Sequence, residues 1–171
     1  MYYLKENGMK KLKIFLICAL LFLLERVFFA RFQIFSLTPW LLYTFCLLSG
    51  AFSDEIKKPI LISALCGLAA DLTGGGAIGA GAVSFTLSAA LMYFFVSKVF
   101  QRGLIVTLLA VFLVGIGGEM LYLSLNGIGA NGYSAAWTLW HTALPLSVID
   151  TVFALIIYPI AKRLFAGRRE I

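Results

Sequence analysis

Charge is what this chain has least of. Only 13% of its 171 residues are Asp, Glu, Lys or Arg, against about 25% in a typical soluble domain. These charges are too few to cover a surface that faces water, whereas 61% of the residues are hydrophobic. The composition therefore argues against an ordinary soluble fold and predicts a chain whose main solvent is the lipid bilayer.

The chain is also poor in the residues that bind metals or build disulfide frameworks. It has three cysteines and a single histidine, His141. Cys18, Cys46 and Cys66 lie singly inside apolar runs without any CxxC pair, which is typical of small buried hydrophobic residues. We therefore expect no metal and no other cofactor, and no motif joins Ser, His and Asp into a catalytic site.

Six apolar runs are long enough, or nearly long enough, to cross a bilayer as helices, which takes about 20 residues each. No period-2 alternation supports a barrel, so helices must satisfy the backbone. We predict one membrane domain over residues 1–171, an all-α bundle with spans at 12–30, 37–53, 59–72, 77–97, 103–125 and 139–161. The first span follows lysines as a signal peptide would, but no small-residue cleavage site follows it, so we expect it to remain uncleaved.

The basic residues predict how these spans are oriented. Twelve of the 14 lie before the first span, in the second-to-third and fourth-to-fifth loops, or after the last span. They are Lys5, Lys10, Lys11, Lys13, Lys57, Lys58, Lys98, Arg102, Lys162, Arg163, Arg168 and Arg169. Because cytoplasmic loops are enriched in Lys and Arg, both termini are expected in the cytoplasm. The net charge of +6 is spread over these short clusters, so it does not indicate a nucleic-acid partner.

Four acidic residues lie within spans or at their ends, namely Glu25, Asp71, Glu119 and Asp150. The predicted orientation places the first three in the outer half of the membrane and Asp150 near mid-depth, with His141 near the outer end of the sixth span. Ionisable groups in a bilayer either pair internally or serve a function. The sequence thus predicts either a polar cavity or docking surface near the outer face, or internal hydrogen bonds and ion pairs with Arg26 as the cation.

Asp71 lies between an apolar helix and a glycine-rich turn, in the run LCGLAADLTGGGAIGAG at 65–81. At the carboxyl end of the third span the helix dipole disfavours an anion, so Asp71 needs Arg26, a proton or a capping role. A carboxylate beside such a turn can accept hydrogen bonds from the free N–H groups that open the next helix. We predict that Asp71 ties the third span to the fourth in this way.

Small residues recur at helical spacing around this motif. They are Ser63, Gly67, Ala70 and Gly74 in the third span, Ala77, Gly81, Ser84 and Ser88 in the fourth, and Gly115 and Gly118 before Glu119. Such ridges let helices pack closely in lipid, either within the bundle or against a partner's helix. The run 74–79 also reads GxGxxG, but a helix rather than a strand precedes it, so no dinucleotide site is expected.

The run GLAAD at 67–71, with Gly79 eight residues after Asp71, resembles the central motif of the MreD family, the rod shape-determining membrane proteins of bacteria. The run LTPW at 37–40 is similar to that family's proline-led entry to the second span, through Pro39. The last span and its basic tail are similar as well, although the family often has asparagine where this chain has Asp150. The resemblance covers most of the chain.

This resemblance implies a non-enzymatic subunit of the cell-wall elongation machinery in the bacterial cytoplasmic (inner) membrane. The implied partners are MreC and, through it, MreB filaments, the RodA glycosyltransferase and a class B penicillin-binding protein. The polar residues expected to stabilise the bundle or couple to a partner are Glu25, Arg26, Asp71, Glu119 and Asp150. The residues expected at helix contacts or turns are Gly67, Gly74, Gly79, Gly81 and Pro39.

Two other functions remain open at this point. The substrate-binding S-components of energy-coupling-factor vitamin transporters are also small six-helix bundles with an outward-facing pocket, and the MreD fold is thought to be similar to theirs. Polar residues around Glu25, Asp71, Glu119 and His141 would then bind a cationic or polar ligand, with an ATPase module as partner. A membrane enzyme acting on a lipid-linked wall precursor would need a catalytic acid among the four carboxylates, and no motif identifies one.

Overall fold

The computed structural model describes residues 2–29, 31, 39–74, 77–99, 103–127 and 134–165, and every regular element in these ranges is helical. Helix α1 (Tyr2–Leu23) continues into a π-helical segment, Leu24–Phe29. The elements that follow are α2 (Leu41–Phe52), α3 (Lys57–Gly74), α4 (Ala80–Met92) with the π-helical segment Tyr93–Val99, α5 (Leu104–Leu125), α6 (Ala135–Thr138), the π-helical segment Leu139–Ala143 and α7 (Leu144–Phe165). The predicted all-α class is confirmed for these residues.

Two helices of the described residues, Leu104–Leu125 and Ala136–Phe165, are long and apolar enough to cross a membrane. The apolar helices Leu41–Phe52 and Ala80–Val96 are shorter. Each of the six predicted spans contains a helix, but the bounds differ from the predicted ones. The sixth predicted span, 139–161, lies inside a longer helical segment, and α2 is shorter than the predicted span at 37–53, whose first two residues lie outside the described ones.

The predicted glycine-rich turn between the third and fourth spans, residues 73–76, is wrong at Thr73 and Gly74, because both belong to α3. The Thr73 hydroxyl lies 3.1 Å from the carbonyl oxygens of both Ala69 and Ala70, to which it can donate. This bond to the preceding turn satisfies the hydroxyl within the helix and supports continued helical backbone. Gly75 and Gly76, the other half of the predicted turn, lie outside the described residues.

Helix α2 occupies the centre of the bundle. All 12 of its residues are buried, and it packs against α1, α3, α4, α5 and α7. Its sequence, LLYTFCLLSGAF, is apolar on every side, as is typical of an enclosed helix. A β-carbon at Gly50 would lie 3.1 Å from the carbonyl carbon of Ala89, so this glycine permits close contact between α2 and α4. Cys46 and Cys66 are buried in the same core, as predicted.

The surface of the bundle is largely apolar, whereas many polar side chains are inside. On α3, for example, Leu61, Leu65 and Leu72 are 63%, 61% and 69% exposed. Similar apolar side chains are exposed along α1, α4, α5 and α7, while Ser84 and Thr107 are completely buried. Bundles that fold in water have mostly charged and polar outer faces, so this chain has the opposite distribution.

Candidate functional site: a polar layer at the helix ends

Asp71 joins the end of α3 to the start of α4. Its carboxylate is 2% exposed and accepts backbone N–H groups from Gly79 at 2.9 Å, from Gly81 at 2.8 and 3.0 Å, and from Ala82 at 3.2 Å. These N–H groups open a helix and have no acceptor one turn earlier. The predicted hydrogen bonding of Asp71 to the next helix is therefore confirmed.

Glycines make this junction possible. Gly79 has a φ of +98°, in the left-handed region that favours glycine. A β-carbon on Gly81 would lie 2.5 Å from Asp71 Oδ1, and one on Gly67 would lie 2.5 Å from the Gly81 carbonyl carbon. Gly67, Asp71, Gly79 and Gly81 therefore form a single contact, which we call the α3–α4 junction.

Gly74 differs from the other glycines that the sequence singles out. It lies exposed at the end of α3, where a β-carbon would stand 3.5 Å from Arg26 Nη2 and 3.8 Å from the Tyr122 hydroxyl. These are ordinary contact distances, so the space at Gly74 accepts a side chain. Its position is beside the cavity described below rather than in a tight contact between helices.

Arg26 forms no ion pair at 4 Å or less with a carboxylate that the structure describes. Its Nη2 donates to the Ala70 carbonyl at 3.0 Å, in the last turns of α3, where the helix dipole favours a cation. Its guanidinium carbon also lies 6.0 Å from the centre of the Phe22 ring. Within the described parts of the chain, the ion pair at 4 Å or less joins Lys58 to Glu55 at the surface. The predicted ion pairing by Arg26 is therefore wrong for these residues, because the carboxylates accept backbone N–H groups instead.

Two carboxylates meet the start of α2. Glu25 Oε2 accepts the N–H of Leu42, and Asp150 Oδ1 accepts the N–H of Trp40, both at 3.1 Å. Trp40 precedes the first helical residue and has no side-chain oxygen with which to cap the helix. Pro39, buried just before it, disfavours helical backbone at the residue that precedes a proline. Residues from α7 and from the segment after α1 thus supply the caps that α2 itself lacks.

Of the four acidic residues that the sequence places in or beside spans, Glu119 accepts no hydrogen bond from the described residues. It is 1% exposed, and neither of its carboxyl oxygens has a hydrogen-bond partner among the described residues. It lies on α5 beside Asp150 and Ser147 of α7, whose Oδ2 and Oγ atoms are also unpartnered there. Two carboxylates buried side by side repel each other, and a proton shared by Glu119 and Asp150 would remove one charge and give each carboxyl one hydrogen-bond partner.

Glu25, Arg26, Asp71, Glu119 and Asp150 together form what we call the polar layer. A cavity of about 210 Å³ opens beside it. It is lined by Glu25, Arg26, Trp40, Ala70, Gly74, Phe85 and Tyr122. Trp40 and Tyr122 meet edge to face with ring centres 4.6 Å apart, and Phe85 lies 5.9 Å from Trp40. The cavity therefore combines one guanidinium and one carboxylate with an aromatic wall. Of the polar residues predicted from the sequence, it contains Glu25 and Arg26, while the carboxylate of Asp71 faces the α3–α4 junction.

His141 does not join the polar layer. It is exposed, its Nδ1 lies 3.0 Å from the Trp137 carbonyl, and its ring stacks on that of Trp137 with centres 4.6 Å apart. This agrees with a histidine that is solvated and locally hydrogen-bonded.

Sequence reasoning missed the aromatic wall and one side-chain cap. Trp40 follows Pro39 directly, and Tyr122 lies three residues after Glu119, so spacing alone could have placed both near the polar layer. The side chain of Asn126 accepts the N–H of Ala77 at 2.7 Å, which connects the end of α5 to the segment before α4. No sequence pattern predicts the contact between Asn126 and Ala77.

In the described ranges, no three His, Cys, Asp or Glu side chains are grouped as metal ligands would be. Comparison with protein-family models, with curated protein sequences and with solved structures finds no match for this chain. Function therefore has to be inferred from the residues and from the geometry described above.

Proposed function

We propose that this chain is a multi-pass protein of the bacterial cytoplasmic membrane with six spans. Its apolar outer surface supports this, because side chains such as Leu65 and Leu72 are more than half exposed and would rest in hydrocarbon. The half-buried carboxylate of Glu25 and the buried carboxylates of Asp71 and Asp150 each accept backbone N–H groups, as is expected where water is scarce. The short α2 fits the proposal because other helices enclose it.

The orientation proposed from the basic residues places the cavity at the extracytoplasmic end. The cavity lies where α2 begins and where α3 and α5 end. Lys57 and Lys58 lie at the opposite end of α3, and Lys162 and Arg163 lie at the basic end of α7. Both termini are then cytoplasmic.

Within that membrane, we propose a non-enzymatic subunit of the rod-shape and cell-wall elongation machinery, which acts by holding MreC and, through it, the peptidoglycan synthases. The α3–α4 junction is the observation that carries this proposal. Three positions of the MreD-like motif, Gly67, Asp71 and Gly79, meet in that one contact, so the motif has a physical meaning in this fold.

The hydrogen bonds that the carboxylates accept from backbone groups favour a structural role for these residues over a catalytic one. Glu25, Asp71 and Asp150 are each engaged by the backbone of another helix. Glu119 faces Asp150 inside the bundle, and it does not line the cavity. A general acid needs to reach a bound substrate, and this arrangement provides no such approach from the cavity to Glu119.

Co-purification with MreC tests the proposal. The tagged chain is co-expressed with MreC and extracted in a mild detergent, beside an unrelated six-span membrane protein that carries the same tag. We expect MreC in near-equal amount with this chain and at background level with the unrelated protein. Equal recovery of MreC with both baits would contradict the proposal.

The cavity favours one alternative, the substrate-binding S-component of an energy-coupling-factor transporter. Its volume of about 210 Å³ and its charged and aromatic lining suit a small polar ligand. That function requires a tightly bound small molecule and an ATPase module as partner. Recovery of such a module in place of MreC would favour it.

A further inference from the structure

The cavity contains a guanidinium with more donors than partners. Arginine has five N–H donors in a planar fork and no acceptor. One Arg26 donor binds the Ala70 carbonyl, at 3.0 Å. Arg26 Nε is buried and has no hydrogen-bond partner among the described residues, and no carboxylate described here lies within 4 Å of the guanidinium as an ion pair. A buried donor without an acceptor is costly, and the cavity beside Arg26 has room for an acceptor that the described residues do not supply.

The nearby carboxylates are already committed to backbone groups. Glu25 lines the cavity, but its Oε2 accepts the Leu42 N–H at the positive end of α2. Asp71 accepts three N–H groups at the start of α4. The starts of α2 and α4 partly offset these two negative charges, and the Arg26 guanidinium is the cationic group in the cavity lining.

The rest of the cavity suits an apolar body. Trp40, Phe85 and Tyr122 form one wall, with the Trp40 and Tyr122 ring centres 4.6 Å apart. The volume of about 210 Å³ greatly exceeds the ~10–15 Å³ that one buried water requires. Water alone would leave much of this aromatic surface without an apolar contact.

We propose that this cavity binds an oxyanion, in the form of a phosphate or carboxylate group carried by a molecule with an apolar body. The Arg26 fork binds the oxyanion, and the aromatic wall packs against the apolar body. A lipid headgroup and a free anionic metabolite share this chemistry. The site goes beyond the proposed scaffold function, and its ligand is opposite in charge to the cationic one that the acidic residues suggest from sequence.

Ligand-induced stabilisation tests the site. The full-length protein, purified in a neutral detergent, is melted with dioleoylphosphatidylglycerol, with dioleoylglycerol, which lacks the phosphate, and with inorganic phosphate. We expect a saturable rise in Tm with dioleoylphosphatidylglycerol and none with dioleoylglycerol. An equal rise with inorganic phosphate would contradict the role assigned to the apolar body, whereas a rise with dioleoylphosphatidylglycerol and none with inorganic phosphate favours the lipid as the source of the oxyanion.

Two variants locate the binding. Arg26→Gln should weaken the apparent affinity roughly tenfold or more, the loss expected for a charge-assisted hydrogen bond. Arg163→Gln, at an exposed arginine on α7, is the matched control and should bind as wild type does. Gly74→Leu fills the cavity from an exposed position and should also weaken binding, and it serves if Arg26→Gln fails to fold. Equal stabilisation by the two lipids, or unchanged binding by both cavity variants, would overturn the assignment.

Discussion

Removing the Asp71 carboxylate should separate the start of α4 from the end of α3. In Asp71→Ala, the N–H groups of Gly79, Gly81 and Ala82 lose their acceptor. Gly81 is buried, and the other two are partly buried. An unsatisfied buried donor costs about 1–3 kcal/mol, so we expect about 2 kcal/mol for Gly81 and about 1 kcal/mol for each of the others. The free energy of unfolding should therefore fall by about 4 kcal/mol.

Asp71→Asn should cost about half as much. One amide oxygen can still accept at the Oδ2 position, which receives all three N–H groups. The charge is lost, and the new NH₂ group takes the place of Oδ1, which lies 2.8 Å from the Gly81 nitrogen. Two donor groups then face each other at that position. Charge-assisted hydrogen bonds are roughly twice as strong as neutral ones, so a loss of about 2 kcal/mol follows.

Thermal melts of the purified protein in detergent, followed by tryptophan fluorescence, measure this order. For a chain of this size, about 2–4 °C of Tm corresponds to each kcal/mol, so we expect roughly 12 °C for Asp71→Ala and roughly 6 °C for Asp71→Asn. Glu55→Ala is the control, because Glu55 is an exposed carboxylate 3.4 Å from Lys58, and such pairs contribute less than about 1 kcal/mol. If Asp71→Ala has the same Tm as Glu55→Ala, the role assigned to the Asp71 carboxylate is refuted.

Three further predictions use the same melts. Gly81→Ala should lower the free energy of unfolding by about 3 kcal/mol, because its β-carbon would lie 2.5 Å from Asp71 Oδ1. Gly117→Ala is the control and should be neutral or stabilising, because nothing lies within 4 Å of the new β-carbon. Equal losses in the two variants would contradict the close contact at Gly81. Glu119→Gln should stay within about 1 kcal/mol of wild type, since its amide would donate to Asp150 as a shared proton would, while Glu119→Ala should lose about 3 kcal/mol. A glutamine variant as unstable as the alanine one would argue against a shared proton. Glu25→Ala should lose about 1.5 kcal/mol of unfolding free energy by leaving the Leu42 N–H unpaired. Glu25→Gln keeps an acceptor and should lose less. Equal losses in the two variants would show that α2 requires the negative charge and not only an acceptor.

The helices and the junction could be predicted because local rules decide them. Apolar runs without strand alternation predict helices, and Asp71 beside a glycine turn predicts a cap for the next helix. Gly79 could be recognised as a turn residue for the same reason, and its positive φ agrees.

The partners of the other ionisable groups could not be predicted, because they depend on how the helices are arranged. Nothing in the sequence says that Asp150 would reach Trp40, which is 110 residues away, or that Arg26 would choose the Ala70 carbonyl. The charges suggested ion pairs. In the structure, backbone N–H groups and a backbone carbonyl near the helix ends are the hydrogen-bond partners of these charged side chains instead. The cavity depends on the same arrangement, since its walls come from five separate parts of the chain.

We propose that this chain works through a protein partner in the membrane and not as the carrier of a transported small molecule. Affinity purification of the tagged protein from native membranes in mild detergent, with mass spectrometry of both proteins and small molecules, tests it most directly. We predict recovery of MreC and cell-wall elongation proteins, without an ATPase module. Recovery of an ABC-type ATPase module with a stoichiometric vitamin would contradict the claim and make the Arg26 cavity a transport site.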